Sequence, residues 1–275
     1  MKRLGLALGG GGVRGFAHIC ILELLDELRL RPSVIAGTSM GAVIGALYAS
    51  GVSGKDLREL AREYSIQDGD TLRDVMKKRS YLVRWLKALV PERKRGGLMS
   101  IDRFLVDALE PIMGISFEEL KIPLIVVATD FWTAEEVVME HGDLATAVRA
   151  SMAIPGAFTP VSKDGRVLVD GGLVNRVPYD RLQGRCDVTV AVDVIGERRS
   201  HDGHVPHVAE AAVGALDIMQ KVAFDQKLAS LKPDILVRAP IHGIGVLAFT
   251  KIGEVFRQMA PTVDDLRRRL SELEL

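Results

Sequence analysis

An apolar, β-branched run that meets a glycine-bracketed serine and continues into small, helix-spaced residues leaves a chain few ways to fold. Val34-Ile35-Ala36-Gly37-Thr38-Ser39-Met40-Gly41-Ala42-Val43-Ile44-Gly45 has that order. It reads as strand, tight turn and helix, and such a turn lifts its serine out of the backbone at the carboxyl end of a sheet. Glycines at 37 and 41 let strand and helix pass close enough to hold it there. Ser39 is therefore a candidate nucleophile. Serine is also a favoured helix N-cap, so a purely capping role for Thr38 or Ser39 stands beside that reading.

A second turn of the same kind lies upstream. Leu4 to Leu8 reads as a short strand, Gly9-Gly10-Gly11-Gly12-Val13-Arg14-Gly15 as a loop, and Phe16, Ile19, Leu22, Leu24, Leu25 and Leu28 mark a helix. Four successive glycines cost backbone entropy and pack nothing, so the loop serves open amides or unusual dihedrals. Those amides would sit where a helix dipole favours negative charge. Two chemistries use such a loop. Gly10-x-Gly12-x-x-Gly15 matches a dinucleotide fingerprint, but that site wants an acidic residue about 20 residues on, where this chain has Gly37-Thr38-Ser39. The other is an oxyanion hole, in which loop amides hold the negative oxygen of a tetrahedral acyl intermediate beside a serine. Two consecutive strands of a parallel sheet would open both turns at one edge, which favours the second. Arg14 is expected to anchor the loop rather than meet a phosphate, and His18, on the helix, to be a packed side chain rather than a base.

Downstream, Ser53 to Tyr64 reads as an amphipathic helix. Residues 65–99 then mix bulky apolar and basic side chains, as in Tyr81-Leu82-Val83-Arg84-Trp85-Leu86-Lys87, and form the best candidate for a lid or membrane-docking segment. Ser100 to Leu109 resumes helix, Ser116 to Glu119 has capping-box spacing, and Leu124 to Asp130 is a buried strand with Glu135 to Glu140 as its partner. Asp143 caps a helix running into Ala150-Ser151-Met152-Ala153-Ile154-Pro155, whose small residues imply tight packing. Lys163-Asp164-Gly165-Arg166 is a hairpin turn, and its second strand delivers Asp170-Gly171-Gly172. An Asp-Gly pair is commonly a plain turn; beside an elbow serine and an amide-rich loop, Asp170 is the natural proton acceptor. Val188 to Val194 and Asp234 to Val237 are further strands, and Ala209 to Leu231 and Val263 to Leu273 further helices.

Composition narrows the classes. With 36 basic and 36 acidic residues in 275, no global field draws the chain to nucleic acid or an acidic membrane. Any membrane contact must be local and apolar. Cys20 and Cys186 are too few and too distant for a disulfide framework, which fits a reducing, cytoplasmic setting. His201, His204 and His207 lie in a polar loop without the co-ligands of a metal site, and are expected to be solvated. No run approaches the ~20 apolar residues of a membrane span.

Gly-Gly-Gly-Val-Arg-Gly at 10–15, Gly-Thr-Ser-Met-Gly at 37–41 and Asp-Gly-Gly at 170–172 together resemble the patatin-like phospholipase family, and Ala150 to Pro155 and Asn175 to Pro178 are similar to its bacterial branch. The resemblance covers most of residues 3–240. A length of 275 residues points to one domain over 1–275, and the resemblance implies a three-layer α/β/α fold around a mostly parallel sheet. It also implies a serine-aspartate dyad without a catalytic histidine: Ser39 as nucleophile, Asp170 as base, and the Gly10, Gly11 and Gly12 amides as oxyanion hole. Arg14, Gly15, Gly37, Gly41, Gly171 and Gly172 complete the motifs. The implied substrates are phospholipids, lysophospholipids or other fatty-acyl esters, with neither metal nor cofactor. A lipid transacylase using the same dyad and a non-catalytic nucleotide- or lipid-binding protein are the alternatives, and oligomeric state is not legible.

Overall fold

The computed structural model describes residues 2–63, 97–99, 110–195, 208–246 and 248–273. The lid segment apart from Gly97–Met99, the helix expected over Ser100 to Leu109, and His201, His204 and His207 fall outside the described residues.

Five parallel strands form the spine of the sheet: β1 (Leu4–Leu8), β2 (Val34–Thr38), β4 (Leu124–Asp130), β9 (Val188–Asp193) and β10 (Ile235–Arg238). Their spatial order is β10-β9-β1-β2-β4, and β5 (Glu136–Met139), β7 (Val161–Lys163) and β8 (Arg166–Asp170) are added antiparallel. Short β3 (Gly97–Met99) and β6 (Gly156–Phe158) pair separately.

Period-two alternation sorts the strand side chains into two faces. Leu4, Leu6, Leu8, Ile35, Leu124, Val126, Val190 and Val192 join the larger core, whereas Ala7, Val34, Ala36, Ile125 and Ala191 join the smaller one. The larger face is covered by α1 (Ala17–Glu27), α2 (Met40–Ser50), α3 (Gly54–Glu63), α4 (Leu144–Ser151) and α6 (Ile252–Ser271). The smaller is covered by the turn around Tyr179 and Leu182 and by Phe224 of α5 (Val208–Ser230). Helices therefore lie on both faces of the sheet, an α/β/α sandwich.

Most local expectations stand in place. The β7–β8 hairpin turns on Asp164 and Gly165 at φ 51° and 77°, both positive as a type I′ turn requires. Asp143 Oδ2 accepts the Thr146 amide at 2.8 Å, and Ser116 and Glu119 form a reciprocal capping box. One boundary differs. The terminal helix, expected to begin at Val263, starts at Ile252 and passes through Pro261. Its buried stripe Ile252, Val255, Met259, Leu266, Leu270 continues across the proline, which faces solvent, so packing outweighs the one lost backbone hydrogen bond.

Candidate active site

The elbow takes the shape its glycines allow. Ser39 follows β2 at φ 53° and ψ −124°, a conformation costing roughly 1–3 kcal/mol that persists only where the surroundings fix it. A methyl group at Gly41 would lie 2.1 Å from the Leu8 carbonyl oxygen, so only glycine lets α2 start this close to β1. Although Ser39 occupies the N-cap position of α2, its side chain caps nothing. Its Oγ donates instead to Asp170 Oδ2 at 2.6 Å. The capping interpretation is thereby replaced by a buried hydroxyl–carboxylate pair, since Ser39 and Asp170 are 4% and 6% exposed.

Sheet topology makes that encounter. Thr38 of β2 is level with Val127 of β4, and Asp170 of β8 is level with Ala128, the next residue. Because β5 pairs with Val126–Thr129 from the other side, β2 and β8 share one edge of β4, running toward each other end to end. Their facing ends carry Ser39 and Asp170. The remaining contacts fix this junction: Thr129 Oγ1 donates to the Asp170 carbonyl at 2.9 Å, the Asp170 amide to the Ala153 carbonyl at 3.0 Å, and Thr38 Oγ1 to the Asn175 carbonyl at 2.9 Å. The Ser39 amide donates to Ser151 Oγ at 2.8 Å.

Asp170 has an unusual balance of forces. Burial pushes its carboxyl from 3.8 up to about 6, against the opposing pull of the Ser39 hydroxyl and the Gly172 amide, which reaches Oδ1 at 2.7 Å. A carboxylate so raised is a far better base than an ordinary aspartate.

The glycine loop lies alongside, and a methyl group at Gly10 would be 3.2 Å from Ser39 Cβ. β1 pairs with β2 so that Leu8 is level with Gly37, and both glycine turns open at one edge. The three loop amides expected to act together are not equivalent. That of Gly10 donates to the Arg176 carbonyl at 2.9 Å and is engaged, whereas those of Gly11 and Gly12 have no hydrogen bond among the described residues. A 3₁₀ turn, Gly12–Phe16, separates the loop from α1.

Supports behind the loop come from both layers. His18 is fully buried with Nε2 2.8 Å from the Gly9 carbonyl oxygen, and burial lowers its pKa to about 4. A neutral ring facing a carbonyl must carry its proton on Nε2, so His18 holds the loop as a donor. Arg14 pairs with Asp217 of α5 at 3.0 Å, and Arg176 with Asp193 at 2.8 Å beneath the Phe224 ring. Lys227 of α5 donates to Asn175 Oδ1, the Val177 carbonyl and Asp180 Oδ1, each at 2.6 Å. Gly15 and Gly37 keep their motif roles by close packing, a methyl group at Gly15 meeting Met40 at 2.5 Å and one at Gly37 meeting Ala42 Cα at 2.7 Å. Gly171 passes closer still, a methyl group there meeting the Val127 carbonyl oxygen at 2.1 Å.

Asp217 and Lys227 carry no expectation from the sequence, and Ser151 enters there only within the stretch Ala150 to Pro155. Asp217, Phe224 and Lys227 recur at helical spacing on one face of α5, the only local sign that this helix grips the site.

Comparison with known proteins agrees with the motifs. The sequence pattern described as patatin-like phospholipase matches residues 6–182. An uncharacterized NTE family protein of Mycobacterium tuberculosis is 37% identical over 196 residues, covering 70% of this chain and 49% of its own length. Human patatin-like phospholipase domain-containing protein 6 is 34% identical over 194 residues, again 70% of this chain but 13% of its own. The chain thus spans about half the length of the mycobacterial relative and a small part of the human one. VipD from Legionella pneumophila aligns over 96% of this chain and 67% of its own, at 15% identity and a TM-score of 0.49.

Proposed function

The chain belongs to the patatin-like phospholipase family, and from that premise we propose that it is a serine acyl hydrolase cleaving carboxylic esters of phospholipids or lysophospholipids through a Ser39–Asp170 dyad. The observation that carries this reading is the buried 2.6 Å hydrogen bond from Ser39 Oγ to Asp170 Oδ2 at the carboxyl end of the sheet.

The steps follow from the groups present. Asp170 takes the hydroxyl proton as Ser39 Oγ attacks the ester carbonyl carbon, and the carbonyl oxygen becomes an oxyanion. The open amides of Gly11 and Gly12, with the positive end of α2 beside them, offset that charge. On collapse, Asp170 returns the proton to the departing alcohol oxygen, leaving an acyl-serine. Water then loses its proton to Asp170, attacks the acyl carbon and releases the fatty acid, and the proton goes back to Ser39.

A fluorophosphonate probe followed by peptide mass mapping tests the assignment. Modification at Ser39, with fatty acid release from lysophospholipid, is expected; label on another serine would overturn it. A second expectation is pH dependence. Asp170 must be ionised to accept a proton, so kcat/KM rises with pH through about 6 and is level above it. A profile flat from about pH 5 to about pH 8 would remove Asp170 as the base.

The local apolar contact with a lipid surface has support among the described residues. Phe131 and Trp132, 49% and 76% exposed, stand edge to face at 5.0 Å in the turn after β4. Asp130 lies three strand positions, roughly 10 Å, beyond the level of Thr38 at the same sheet edge as Ser39. The turn is ordered by the Trp132 amide on Asp130 Oδ1 at 3.0 Å and the Phe131 amide on the Val167 carbonyl at 2.8 Å. Replacing both aromatics by alanine is expected to lower hydrolysis of vesicle-borne phospholipid about tenfold or more, with a soluble short-chain p-nitrophenyl ester hydrolysed at the parental rate. Equal losses on both substrates would reject the contact.

A further inference from the structure

Ser39 has a backbone conformation that needs an external restraint, and β2 does not provide one. The β2–β4 ladder ends at Thr38 and Val127. One residue further, the Ser39 amide points to a side chain on another element: it donates to Ser151 Oγ at 2.8 Å, and Ser151 Oγ donates in turn to the Val127 carbonyl at 2.6 Å. Ser151 is the last residue of α4 and is fully buried. Its hydroxyl therefore fills the gap in the ladder, accepting from the elbow and donating to the strand that β2 has just left.

Resting on the reading of Ser39 as nucleophile, we propose that Ser151 is a positioning residue which holds the elbow in its strained conformation and so aims Ser39 Oγ at Asp170. Two features give the contact this meaning. The Val127 carbonyl adjoins the junction where β2 hands the edge of β4 to β8, so the hydroxyl ties the serine end to the strand against which the aspartate end is registered. The contact also occupies the nucleophile's own amide. That amide is withheld from the oxyanion, whereas the Gly11 and Gly12 amides of the opposite loop carry no hydrogen bond among the described residues.

The role demands one group that both accepts and donates in a closed space. Alanine offers neither function, and cysteine offers both only weakly. Ser151→Ala is expected to lower kcat by about tenfold to a hundredfold, with KM within about twofold, because misalignment acts on the reacting atoms rather than on binding. Loosening the Ser39–Asp170 hydrogen bond also removes a contact that favours the ionised carboxyl, so the acid limb of the pH profile moves upward. Leu57→Val, a core truncation in α3 away from the dyad, serves as the stability control and leaves the limb in place. Should the alanine variant not fold, Ser151→Cys is expected to show the same upward limb with a smaller fall in kcat. Parental kcat and limb in a folded Ser151 variant, or equal changes in the Leu57 control, would overturn the proposal. Inactive Ser39→Ala beside a fully active Ser151→Ala would remove the positioning role alone; an active Ser39→Ala would remove the nucleophile assignment on which it rests.

Discussion

Ser39→Ala is expected to lose ester turnover by a factor on the order of 10⁶, the scale seen when a serine hydrolase loses the atom that forms its covalent intermediate. What remains would come from the glycine-loop amides and bound water, which by themselves supply on the order of 10³–10⁴ over the uncatalysed reaction. The variant should fold. Ser39 Oγ caps no helix amide, so its removal takes away one hydrogen bond, about 1 kcal/mol, while Asp170 keeps the Gly172 amide. The elbow backbone is equally accessible to alanine and stays tied through the residue 39 amide. Thermal unfolding near the parental temperature together with absent turnover separates chemistry from folding. A variant retaining a tenth or more of parental kcat would place the nucleophile elsewhere.

Asp170→Asn should lose activity by on the order of 10⁴ or more, because the amide cannot accept the Ser39 proton, and at the same time gain stability at neutral pH. The sign of the second effect follows from the raised carboxyl. With a folded value of about 6 against 3.8, the native state holds a proton that the unfolded state has released, so stability is full below about pH 4 and declines as pH rises through 6. A difference of about two pH units corresponds to about 3 kcal/mol of destabilisation carried by the ionised Asp170 above that window. Asparagine removes it, but must re-partner one hydrogen bond at about 1 kcal/mol, leaving a net gain of about 1–2 kcal/mol. For a protein of this size that is a rise of roughly 2–8 °C in Tm. Near pH 4 the variant should be less stable by about 1 kcal/mol, and the difference should turn favourable toward pH 6 and stay level beyond. A gap independent of pH would show that burial does not raise Asp170, and with it would go the explanation of how a carboxylate serves as base here. Stability surrendered at a group proposed to be catalytic fits a common pattern in enzymes.

These two variants probe a pair that lies 131 positions apart in the chain. Among the described residues, much of what depends on neighbours in sequence is legible from sequence. The elbow could be placed because Val34 to Gly45 changes its period within one turn. The hairpin could be placed because Asp164-Gly165 tolerates two successive positive φ values. The faces of the sheet follow from alternation in Leu4 to Leu8 and Leu124 to Asp130. The terminal helix reaches back past Val263 to Ile252 because the apolar stripe on both sides of Pro261 is packed against the core, although proline locally disfavours a helix interior.

Four features of the site were set by segments distant in the chain. The Gly10 amide differs from its neighbours because of the Arg176 carbonyl, brought to it by the chain after Asp170. Ser151 lies in the Ala150–Pro155 stretch that the sequence marks as tightly packed, but its two partners, the Ser39 amide and the Val127 carbonyl, come from segments far away in the chain. Lys227 and Asp217 hold the two loops from a helix far along the chain. The basicity of Asp170 is a property of what surrounds it, since an isolated Asp-Gly-Gly titrates as an ordinary carboxyl. By itself, then, the sequence determined which residue types stand at the ends of which strands, because backbone sterics and side-chain period act over a few residues. Tertiary structure alone decided that β8 would run antiparallel into the place β2 vacates on β4, because pairing partners and burial are set by segments distant in the chain, and that single register brings hydroxyl to carboxylate.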